Sequence, residues 1–339
     1  MTFDVSAVVC AFGEEPHLLD VVRAIQASKG VAVEVIVVDN GSPACAGLPE
    51  YVRILDPGGN TGFAGGCNLG ARAADGSTLV FVNSDAIVEP GCLSHLHSAV
   101  HEPGAGLVGA TVLLADEPDV VNSWGNPVHL LGFSWAGGYG QPADEARAGA
   151  RASVSGALFG VRRQVFLDLG GMDPTFFMYG EDIDLSFRTW LSGLGVNVLA
   201  DARAWHHYDF SRNPRKMYLL ERNRLVTILT TYRGRTLLAL APLMVAAELA
   251  VVAHSRRDGW LDQKLSGWGW LAGHRKYLRA RRNRVQGTRR AAEANLLGHL
   301  TVALDPPARF GMAIPPAWQA AIDWYWRQVG TRIAGIRTG

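Results

Sequence analysis

The stretch Leu79-Val80-Phe81-Val82-Asn83-Ser84-Asp85-Ala86 decides the fold class of this 339-residue chain. Its apolar half predicts a buried β-strand, and Asp85 follows where that strand ends. An upstream stretch, Val35-Ile36-Val37-Val38-Asp39-Asn40-Gly41-Ser42, repeats the arrangement. Carboxylates at the ends of buried strands predict a site for a nucleotide diphosphate and a metal ion at one edge of a sheet.

Strand and helix patterns alternate over the first 110 residues. Strands are predicted at 5–12, 31–38, 51–55 and 78–82, and helices at 16–28 and 67–74. Such alternation is typical of an α/β fold, in which a mainly parallel central sheet is covered by helices on both faces. Ligands of such sheets bind beyond the carboxyl ends of the strands, where Asp39 and Asp85 are expected to lie.

The pattern changes in the second half of the chain. Residues 104–160 are β-like and rich in glycine, 181–194 predict a helix, and 196–200 predict a strand. Beyond about residue 216 nearly all signals are helical. We therefore predict a catalytic domain at 1–230 and a C-terminal helical domain at 231–339, which contacts either a membrane interface or a second copy of the chain.

Composition restricts the class of protein. A net charge of +1 gives no reason to expect a nucleic-acid partner. The four cysteines are widely spaced and lack a metal-binding pattern, which predicts reduced thiols. The first residues do not have the pattern of a secretory signal peptide, so we expect a cytoplasmic protein.

Two C-terminal segments bear on membrane contact. Residues 237–253 are almost entirely apolar, but they are fewer than the roughly 20 that span a bilayer, and Pro242 and Glu248 interrupt them. They predict either a core helix or a helix lying in a membrane interface. Residues 274–290 carry eight Arg and Lys residues and no acidic residue. This run is either a solvated helix face or a surface that attracts anionic lipid or a lipid-diphosphate acceptor.

The tripeptide Asn83-Ser84-Asp85 is a candidate metal motif. Two oxygen ligands two residues apart at a strand end can face one divalent cation, and carboxylate oxygens suit Mg²⁺ or Mn²⁺. An ordinary turn explains the same residue types. His206 and His207 follow a predicted strand, and one of them could complete the metal shell of Asp85.

Three further motifs carry candidate chemistry. Asp39 is a candidate acceptor for a nucleobase edge or a ribose. The run Asn60-Thr61-Gly62-Phe63-Ala64-Gly65-Gly66-Cys67-Asn68 predicts a glycine-rich loop whose amides approach a phosphate, although it matches neither a P-loop nor a dinucleotide fingerprint. Glu181 and Asp182 begin a predicted helix, where they either complement its N-terminus or provide a general base.

In this order the motifs resemble those of family 2 glycosyltransferases of GT-A fold, the fold of nucleotide-diphospho-sugar transferases, and especially the bacterial rhamnosyltransferase-like branch. The resemblance covers about residues 3–230. Its matching segments are 35–42, 60–70, 83–85, Phe177-Met178-Tyr179-Gly180-Glu181-Asp182-Ile183-Asp184-Leu185-Ser186-Phe187-Arg188, and Trp205-His206.

The resemblance implies a role for each matching residue. Asp182 is the implied catalytic base, supported by Glu181, and Asp85 and His206 are the implied metal ligands. Asn83 replaces the first acid of the family's Asp-x-Asp motif. The implied donor site contains Ala11, Asp39, Asn40, Gly62, Gly65, Asn68, Asn83, Ser84 and Asp85. The implied acceptor site contains Tyr179, Trp205 and Asp184, and Asp184 has a structural role as its alternative.

The implied activity is an inverting, Mg²⁺- or Mn²⁺-dependent sugar transfer to a hydroxyl group of a glycan, a lipid-linked acceptor or a small molecule. The branch favours L-rhamnose from dTDP-L-rhamnose, as in cell-wall polysaccharide synthesis, while UDP-linked hexose and galactofuranose remain open. The cysteines and the first residues predict a cytoplasmic location, and the two C-terminal segments add a position at the inner face of the membrane as one alternative. Two other classes are alternatives, a non-catalytic sugar-nucleotide-binding protein and a metal-dependent nucleotidyltransferase.

Overall fold

The structure is a computed structural model that describes residues 2–207, 213, 215–306 and 316–334. The chain divides into two compact units. The first consists of Met1–Asn126, Ala136–Thr189 and Leu194–Phe210, and the second consists of Pro127–Trp135, Trp190–Gly193 and Ser211–Gly339. The helix at 216–231 belongs to the second unit, whereas the sequence-based boundary at 230 assigned it to the catalytic domain. The functional division itself stays a prediction.

A ten-stranded mixed sheet forms the centre of the first unit, in the order β3-β2-β1-β4-β9-β6-β10-β5, with β7 beside β6 and β8 beside β10. Its strands are β1 (Val5–Ala11), β2 (Val33–Asp39), β3 (Val52–Leu55), β4 (Thr78–Asn83), β5 (Ala86–Val88), β6 (Ala105–Leu114), β7 (Val121–Ser123), β8 (Gly149–Ala150), β9 (Leu158–Arg162) and β10 (Gly195–His206). Strands β1, β2, β3 and β4 are parallel, and β9 runs antiparallel between β4 and β6. The predicted α/β class with a mainly parallel sheet is confirmed.

Helices cover both faces of this sheet. The first unit contains α1 (Leu18–Gln26), α2 (Gly62–Ala73), α3 (Cys92–Val100), α4 (Arg163–Asp168) and most of α5 (Glu181–Ser192), which it holds as far as Thr189. Helices α1 and α3 share a core with alternate residues of β1, including Val5, Ala7 and Val9. Helix α2 lies on the other face, where a Cβ at Gly70 would come within 2.3 Å of Val8. Because side chains alternate along a strand, β1 is buried on both sides.

Two predicted elements have different bounds in the structure. Helix α2 begins at Gly62, so most of the predicted glycine-rich loop is the first turns of a helix. Strand β10 continues to His206, six residues beyond the predicted end. The continuation pairs with β5 through Ala204, Trp205 and His206. Pairing with β5 and β6 provides backbone partners there, although its sequence is more polar than a buried strand.

The described part of the second unit is mainly helical, as predicted. It contains α6 (Lys216–Thr231), α7 (Gly234–Arg257), α8 (Leu261–Gly273), α9 (Arg275–Gly287), α10 (Glu293–Leu297) and α11 (Pro316–Ala334). The basic run divides between two environments. Arg281 is buried, Arg282 donates to Leu229 O, and Arg289 pairs with Glu293, whereas Arg275, Lys276 and Arg279 are exposed.

Candidate functional site

The ends of three parallel strands bring the donor-site candidates to one edge of the sheet. Ala11 at the end of β1 is in register with Asp39 at the end of β2, and Cys10 is in register with Asn83 at the end of β4. Parallel strands share their carboxyl edge, so Ala11, Asp39 and Asn83 lie at one edge of the sheet. Their roles in binding a donor stay predictions.

Asp39 has a defined conformation at this edge. Its Oδ1 accepts hydrogen bonds from the amides of Gly41 at 2.9 Å and Ser42 at 2.7 Å. Gly41 has a φ of +105°, which a residue with a side chain rarely adopts. The turn therefore orients the carboxylate where β2 leaves the sheet.

Asp85 and His206 face each other in the site. Their Oδ1 and Nε2 atoms are 2.9 Å apart, and both side chains are largely buried. The pair forms because β10 runs antiparallel to β5, which places His206 opposite Ala86. Asn83 Nδ2 lies 3.4 Å from the same Nε2. The first and last residues of the predicted metal motif, Asn83 and Asp85, therefore both lie next to this imidazole.

A residue that the sequence analysis missed holds the other side of His206. The Nδ1 atom lies 3.1 Å from Oδ1 of Asn122, which is buried in the short strand β7. When Nδ1 carries the proton and donates to this oxygen, a neutral imidazole has its lone pair on Nε2, the atom that faces Asp85. Asn122 lies in a glycine-rich β segment, and no local motif marks it.

His207, the competitor of His206, is oriented differently. Its backbone amide donates to the carbonyl oxygen of Asp85 at 3.0 Å. Its ring stacks on His17 with the centroids 3.6 Å apart and the planes 4° from parallel. Burial, together with the neighbouring His17, lowers the pKa of His207. Among the two histidines, His206 is therefore the one whose ring faces the carboxylate of Asp85.

The side chains at Asp85 and His206 provide some of the ligands that a hard divalent cation requires. A carboxylate and an imidazole on one side of a site can bind Mn²⁺ or Mg²⁺ when phosphate oxygens and water supply the remaining ligands. Within the described residues there is no group of three or more His, Cys, Asp and Glu side chains that could hold a metal ion. The protein thus offers two ligands of this kind rather than a complete shell.

Helix α5 presents Glu181 and Asp182 after a turn in which Tyr179 and Gly180 have positive φ values of +69° and +80°. Asp182 Oδ2 accepts from the Gly156 amide at 3.0 Å. The next residue, Ala157, accepts from the Asn83 amide at 2.9 Å. The segment before β9 thus joins Asp182 to the end of β4, a connection that no sequence motif marked.

Burial changes the acidity of both carboxyl groups at the start of α5. It raises the pKa of Asp182 to about 6, although the Ile183 and Gly156 amides oppose this shift. Burial and the charge of Asp182 raise the pKa of Glu181 to about 8. At neutral pH Asp182 is mostly ionised and Glu181 mostly protonated, so the pair contains one base and one neutral acid.

Asp184 has a structural environment. Its side chain is fully buried, and its Oδ2 accepts from Arg188 Nε at 2.8 Å. Arg188 also donates to the carbonyl oxygens of Leu169 and Gly171. An acceptor cannot reach a carboxylate that the protein surrounds in this way. The structure favours the structural alternative for Asp184 over the acceptor-binding role.

The glycine-rich run is explained by packing. A Cβ at Gly62 would lie 2.3 Å from Phe177 O, and a Cβ at Gly65 would lie 2.8 Å from Thr61 Cβ. The amide of Ala64 donates to Phe177 O at 3.1 Å. The first turn of α2 therefore packs against the turn that precedes Glu181. The predicted phosphate contact of Gly62 and Gly65 stays a prediction.

Two buried asparagines assigned to the donor site hold this region together. Asn40 donates to Gly62 O at 3.2 Å and accepts from the Thr61 amide and hydroxyl. Asn68 donates to Met172 O at 2.6 Å and accepts from the Met172 amide at 2.9 Å. Buried amides must be hydrogen-bonded, and the backbone satisfies both. Their structural role is evident, and direct contact with a donor stays a prediction.

The remaining candidates lie near these elements. Ser84 is buried between Asn83 and Asp85, and Tyr179 is half-buried in the turn before α5. Trp205 lies in β10 opposite Ile87. Its indole nitrogen is buried and has no hydrogen-bond partner within the part of the chain that the structure describes. An N–H without a partner fits a ligand contact, and the acceptor-binding roles of Tyr179 and Trp205 stay predictions.

Comparison with known proteins defines the class. The model of "Glycosyl transferase family 2" matches residues 6–170, which include β1, β2, α2 and β4. The computed fold is similar to the crystal structure of GalNAc-T7 with UDP, GalNAc and Mn²⁺, with a TM-score of 0.55 and 14% identity over 67% of this chain and 48% of that one. It is also similar to S. aureus TarS 1–349 in complex with UDP, with a TM-score of 0.50 and 14% identity over 78% and 89%. Residues 6–170 therefore form a glycosyl transferase family 2 domain, and the chain has the GT-A fold, that of enzymes that transfer a sugar from a nucleotide sugar.

Two curated relatives are similar to this chain at modest sequence identity. The O-antigen biosynthesis protein RfbC of Myxococcus xanthus is 33% identical over 159 residues, which are 43% of this chain and 12% of that protein. The N-acetylglucosaminyl-diphospho-decaprenol L-rhamnosyltransferase of Mycobacterium tuberculosis is 27% identical over 245 residues, 63% of this chain and 80% of that protein. The chain spans only a small part of RfbC but most of the rhamnosyltransferase.

Proposed function

We propose that this protein is a metal-dependent, inverting glycosyltransferase that moves a sugar from a nucleotide sugar to a hydroxyl group. The proposal rests on one observation. Asp39, the Asp85–His206 pair and Asp182 lie around the ends of β2, β4 and β10. Asp39 suits recognition of the nucleobase, the Asp85–His206 pair suits stabilisation of the diphosphate, and Asp182 suits removal of the acceptor proton. Family membership is consistent with all three.

Asp85 and His206 would hold the Mg²⁺ or Mn²⁺ ion. A bound divalent cation neutralises the charge that develops on the leaving diphosphate. The carboxylate and the imidazole lie on the protein side, which leaves the other positions to phosphate oxygens and water. Asn83 would contact the ribose or bind the ion through water, because a neutral amide is a weaker ligand than the carboxylate it replaces.

Asp182 would act as the general base. Its pKa near 6 keeps it ionised at neutral pH and still basic enough to accept a proton from an acceptor hydroxyl. The deprotonated oxygen attacks the anomeric carbon on the face opposite the leaving diphosphate, so the bond to the diphosphate breaks with inversion. Protonated Glu181 places no second negative charge beside this base.

We further propose dTDP-L-rhamnose as the donor and a lipid-linked, glycan or small-molecule hydroxyl as the acceptor. The support is the mycobacterial L-rhamnosyltransferase, a relative that this chain matches over most of its length. A cytoplasmic location at the inner face of the membrane follows from such an acceptor. An assay with a panel of nucleotide sugars identifies the donor.

The first prediction tests the base and its pKa. With a panel of dTDP-, UDP- and GDP-sugars and lipid-linked and soluble acceptors, the wild-type protein is expected to form a glycosylated product in Mn²⁺ or Mg²⁺ and none in EDTA. Asp182→Asn should lower turnover by about 10²-fold or more, because it removes the basic oxygen at unchanged size. Since only ionised Asp182 is a base, kcat/KM should rise with pH up to about 6 and then level off.

Controls separate the elements of this proposal. Nucleotide binding, measured by titration calorimetry with dTDP, should be nearly unchanged in Asp182→Asn. Full activity of Asp182→Asn would refute the base, and full activity in EDTA would refute the metal. Release of pyrophosphate instead of a nucleoside diphosphate would identify a nucleotidyltransferase. Nucleotide-sugar binding with no product from any acceptor would favour a non-catalytic binding protein.

A further inference from the structure

Helix α7 is apolar on almost every side between Leu237 and Ala253. Glu248, in the middle of its apolar sequence, contacts α6 and α8 of the same unit. Arg224 pairs with Glu248, Lys264 Nζ lies 2.7 Å from Glu248 Oε2, and Trp268 Nε1 donates to the same oxygen at 2.7 Å. Burial alone would raise the pKa of Glu248, but Arg224 and Lys264 hold it below its usual range.

These contacts determine which face of α7 points outward. Arg224 and Lys264 also pair with Glu221 of α6, so four buried or half-buried charges hold α7 against α6 and α8. Removing one partner from such a network would leave a buried charge uncompensated. The side of α7 that carries Glu248 therefore faces the interior of the second unit.

The opposite side of α7 is an exposed apolar stripe. Leu238, Val245 and Leu249 are 78%, 60% and 64% exposed. The exposed positions of α7 recur every three or four residues, which is the period of one helix face. From Leu238 onward they are Leu238, Pro242, Val245, Ala246, Leu249, Ala250 and Ala253, followed by Arg256 and Arg257 at the end. We call these nine residues the α7 stripe.

Isolated exposed leucines are ordinary, but a stripe along about 20 residues of helix is not. Within the described residues, α7 is the one helix whose length and composition would allow it to cross a membrane. Its charged contacts with α6 and α8 oppose that arrangement, because a spanning helix has no place for Glu248 beside two soluble helices. A helix that packs on its own unit with one side and exposes apolar residues on the other fits a position in the plane of a membrane surface.

Neighbouring residues favour a lipid surface over a second protein. Helix α11 packs beside α7, where Tyr325 donates to Ala239 O at 2.7 Å, and α11 exposes Trp318 and Trp324. Tryptophan is enriched where an apolar phase meets water. The stripe ends in the exposed Arg256 and Arg257, of which Arg257 also pairs with the adjacent Asp258 at 2.8 Å, and no acidic residue lies within the stripe. Cations beside an apolar face complement anionic headgroups.

We propose that the α7 stripe binds the surface of an anionic phospholipid membrane, with its apolar residues in the headgroup boundary and its terminal arginines against phosphate groups. The proposal does not depend on the sugar donor or on the catalytic residues. It places the chain on the membrane as a peripheral protein. It also assigns different roles to the two sides of one apolar helix, one toward the protein and one toward lipid.

Vesicle co-sedimentation of the full chain tests this proposal. Vesicles of phosphatidylcholine and phosphatidylglycerol in equal amounts are expected to sediment the protein at low salt, and vesicles of phosphatidylcholine alone to sediment much less. Leu238→Gln combined with Leu249→Gln should lower the partition coefficient about tenfold or more, because two exposed apolar side chains no longer enter the membrane. Arg256→Gln combined with Arg257→Gln should lower it for anionic vesicles only, about fivefold per arginine at most.

The matched control is Ile54→Gln, which changes an exposed apolar residue of β3 in the first unit. It should sediment like the wild type, and circular dichroism should show that all variants keep their helices. Absence of sedimentation with anionic vesicles at low salt would overturn the proposal. So would equal losses in Ile54→Gln and the leucine variant, or a dimer in light scattering that only the leucine variant abolishes. The last result would identify a second copy as the occupant of the stripe.

Discussion

His206 shows how a single residue depends on its neighbours. The imidazole lies between Asp85 Oδ1 at 2.9 Å and Asn122 Oδ1 at 3.1 Å. Outer partners of this kind orient a metal-binding histidine and set which nitrogen carries its proton. Asn122 would thus be a positioning residue for the proposed metal site, acting through His206 without touching the ion.

A substitution at Asn122 tests this role. Asn122→Ala is expected to weaken Mn²⁺ binding about 10- to 100-fold, because the ring of His206 loses its orientation and its preferred tautomer. Electron paramagnetic resonance of free Mn²⁺, in the presence of dTDP, measures the change without any assay of activity. Asn197→Ala, in the same sheet near the start of β10, serves as the control and should bind Mn²⁺ like the wild type.

Asn122→Asp should restore most of the Mn²⁺ affinity, because its carboxylate accepts the same hydrogen bond from Nδ1. If Asn122→Ala binds Mn²⁺ as tightly as the wild type while its melting temperature is unchanged, Asn122 has no positioning role. A lower melting temperature in EDTA with unchanged Mn²⁺ affinity would identify a purely structural residue.

At the scale of elements, several glycines of helix α2 allow it to pack closely against its neighbours. Gly62 packs against Phe177 O, Gly66 approaches Cys10, and Gly70 approaches Val8. The helix can thus lie close to β1 and to the turn before α5. The same turn leads directly into Glu181 and Asp182 at the start of α5, so close packing of α2 supports the position of the proposed base.

Gly70→Ala tests this close approach. The added Cβ would lie 2.3 Å from Val8 Cγ1, so α2 or β1 must shift. Overpacking of this kind typically costs about 1–3 kcal/mol of unfolding free energy. That cost should exceed the gain of at most about 1 kcal/mol from the better helix propensity of alanine. Urea denaturation measures the difference.

Gly47→Ala is the matched control, because a Cβ there meets no atom within 4 Å and Gly47 has no positive φ. It should leave the unfolding free energy nearly unchanged. A Gly70→Ala protein as stable as Gly47→Ala would show that α2 moves away from β1 without cost, contrary to the tight packing described above.

For the whole molecule, the proposed function couples ligand binding to stability. A nucleotide and a metal that bind only the folded chain stabilise it by about 2.7 kcal/mol at a ligand concentration 100 times the Kd. We therefore expect dTDP with Mn²⁺ to raise the melting temperature, and EDTA to remove most of the effect. Differential scanning fluorimetry over a range of dTDP concentrations measures the shift.

Asp85→Asn provides the control for this expectation. The amide keeps the size of the side chain but lacks the charge that a hard cation requires. The variant should melt near the wild type without ligand and should lose the additional shift caused by Mn²⁺. If Mn²⁺ with dTDP stabilises Asp85→Asn as much as the wild type, the metal does not bind at Asp85.

Several features followed from local sequence alone. Apolar runs that end in Asp39, Asn83 and Asp85 predicted strands with polar carboxyl ends, because burial requires apolar residues and strand ends expose the backbone. Their common edge in the structure confirms that reasoning. The mainly helical second unit followed in the same way from periodicity.

Other features required the tertiary structure. Asn122, Gly156 and His17 join the site through contacts with residues at least 26 positions away, and no local pattern records such contacts. The same holds for the glycines of α2, which serve packing on β1 and not only a loop, and for the buried pair of Asp184 and Arg188. Hydropathy identified α7 as apolar, but only its charged contacts through Glu248 decided which face turns inward, because a charge buried in a protein must face its partners.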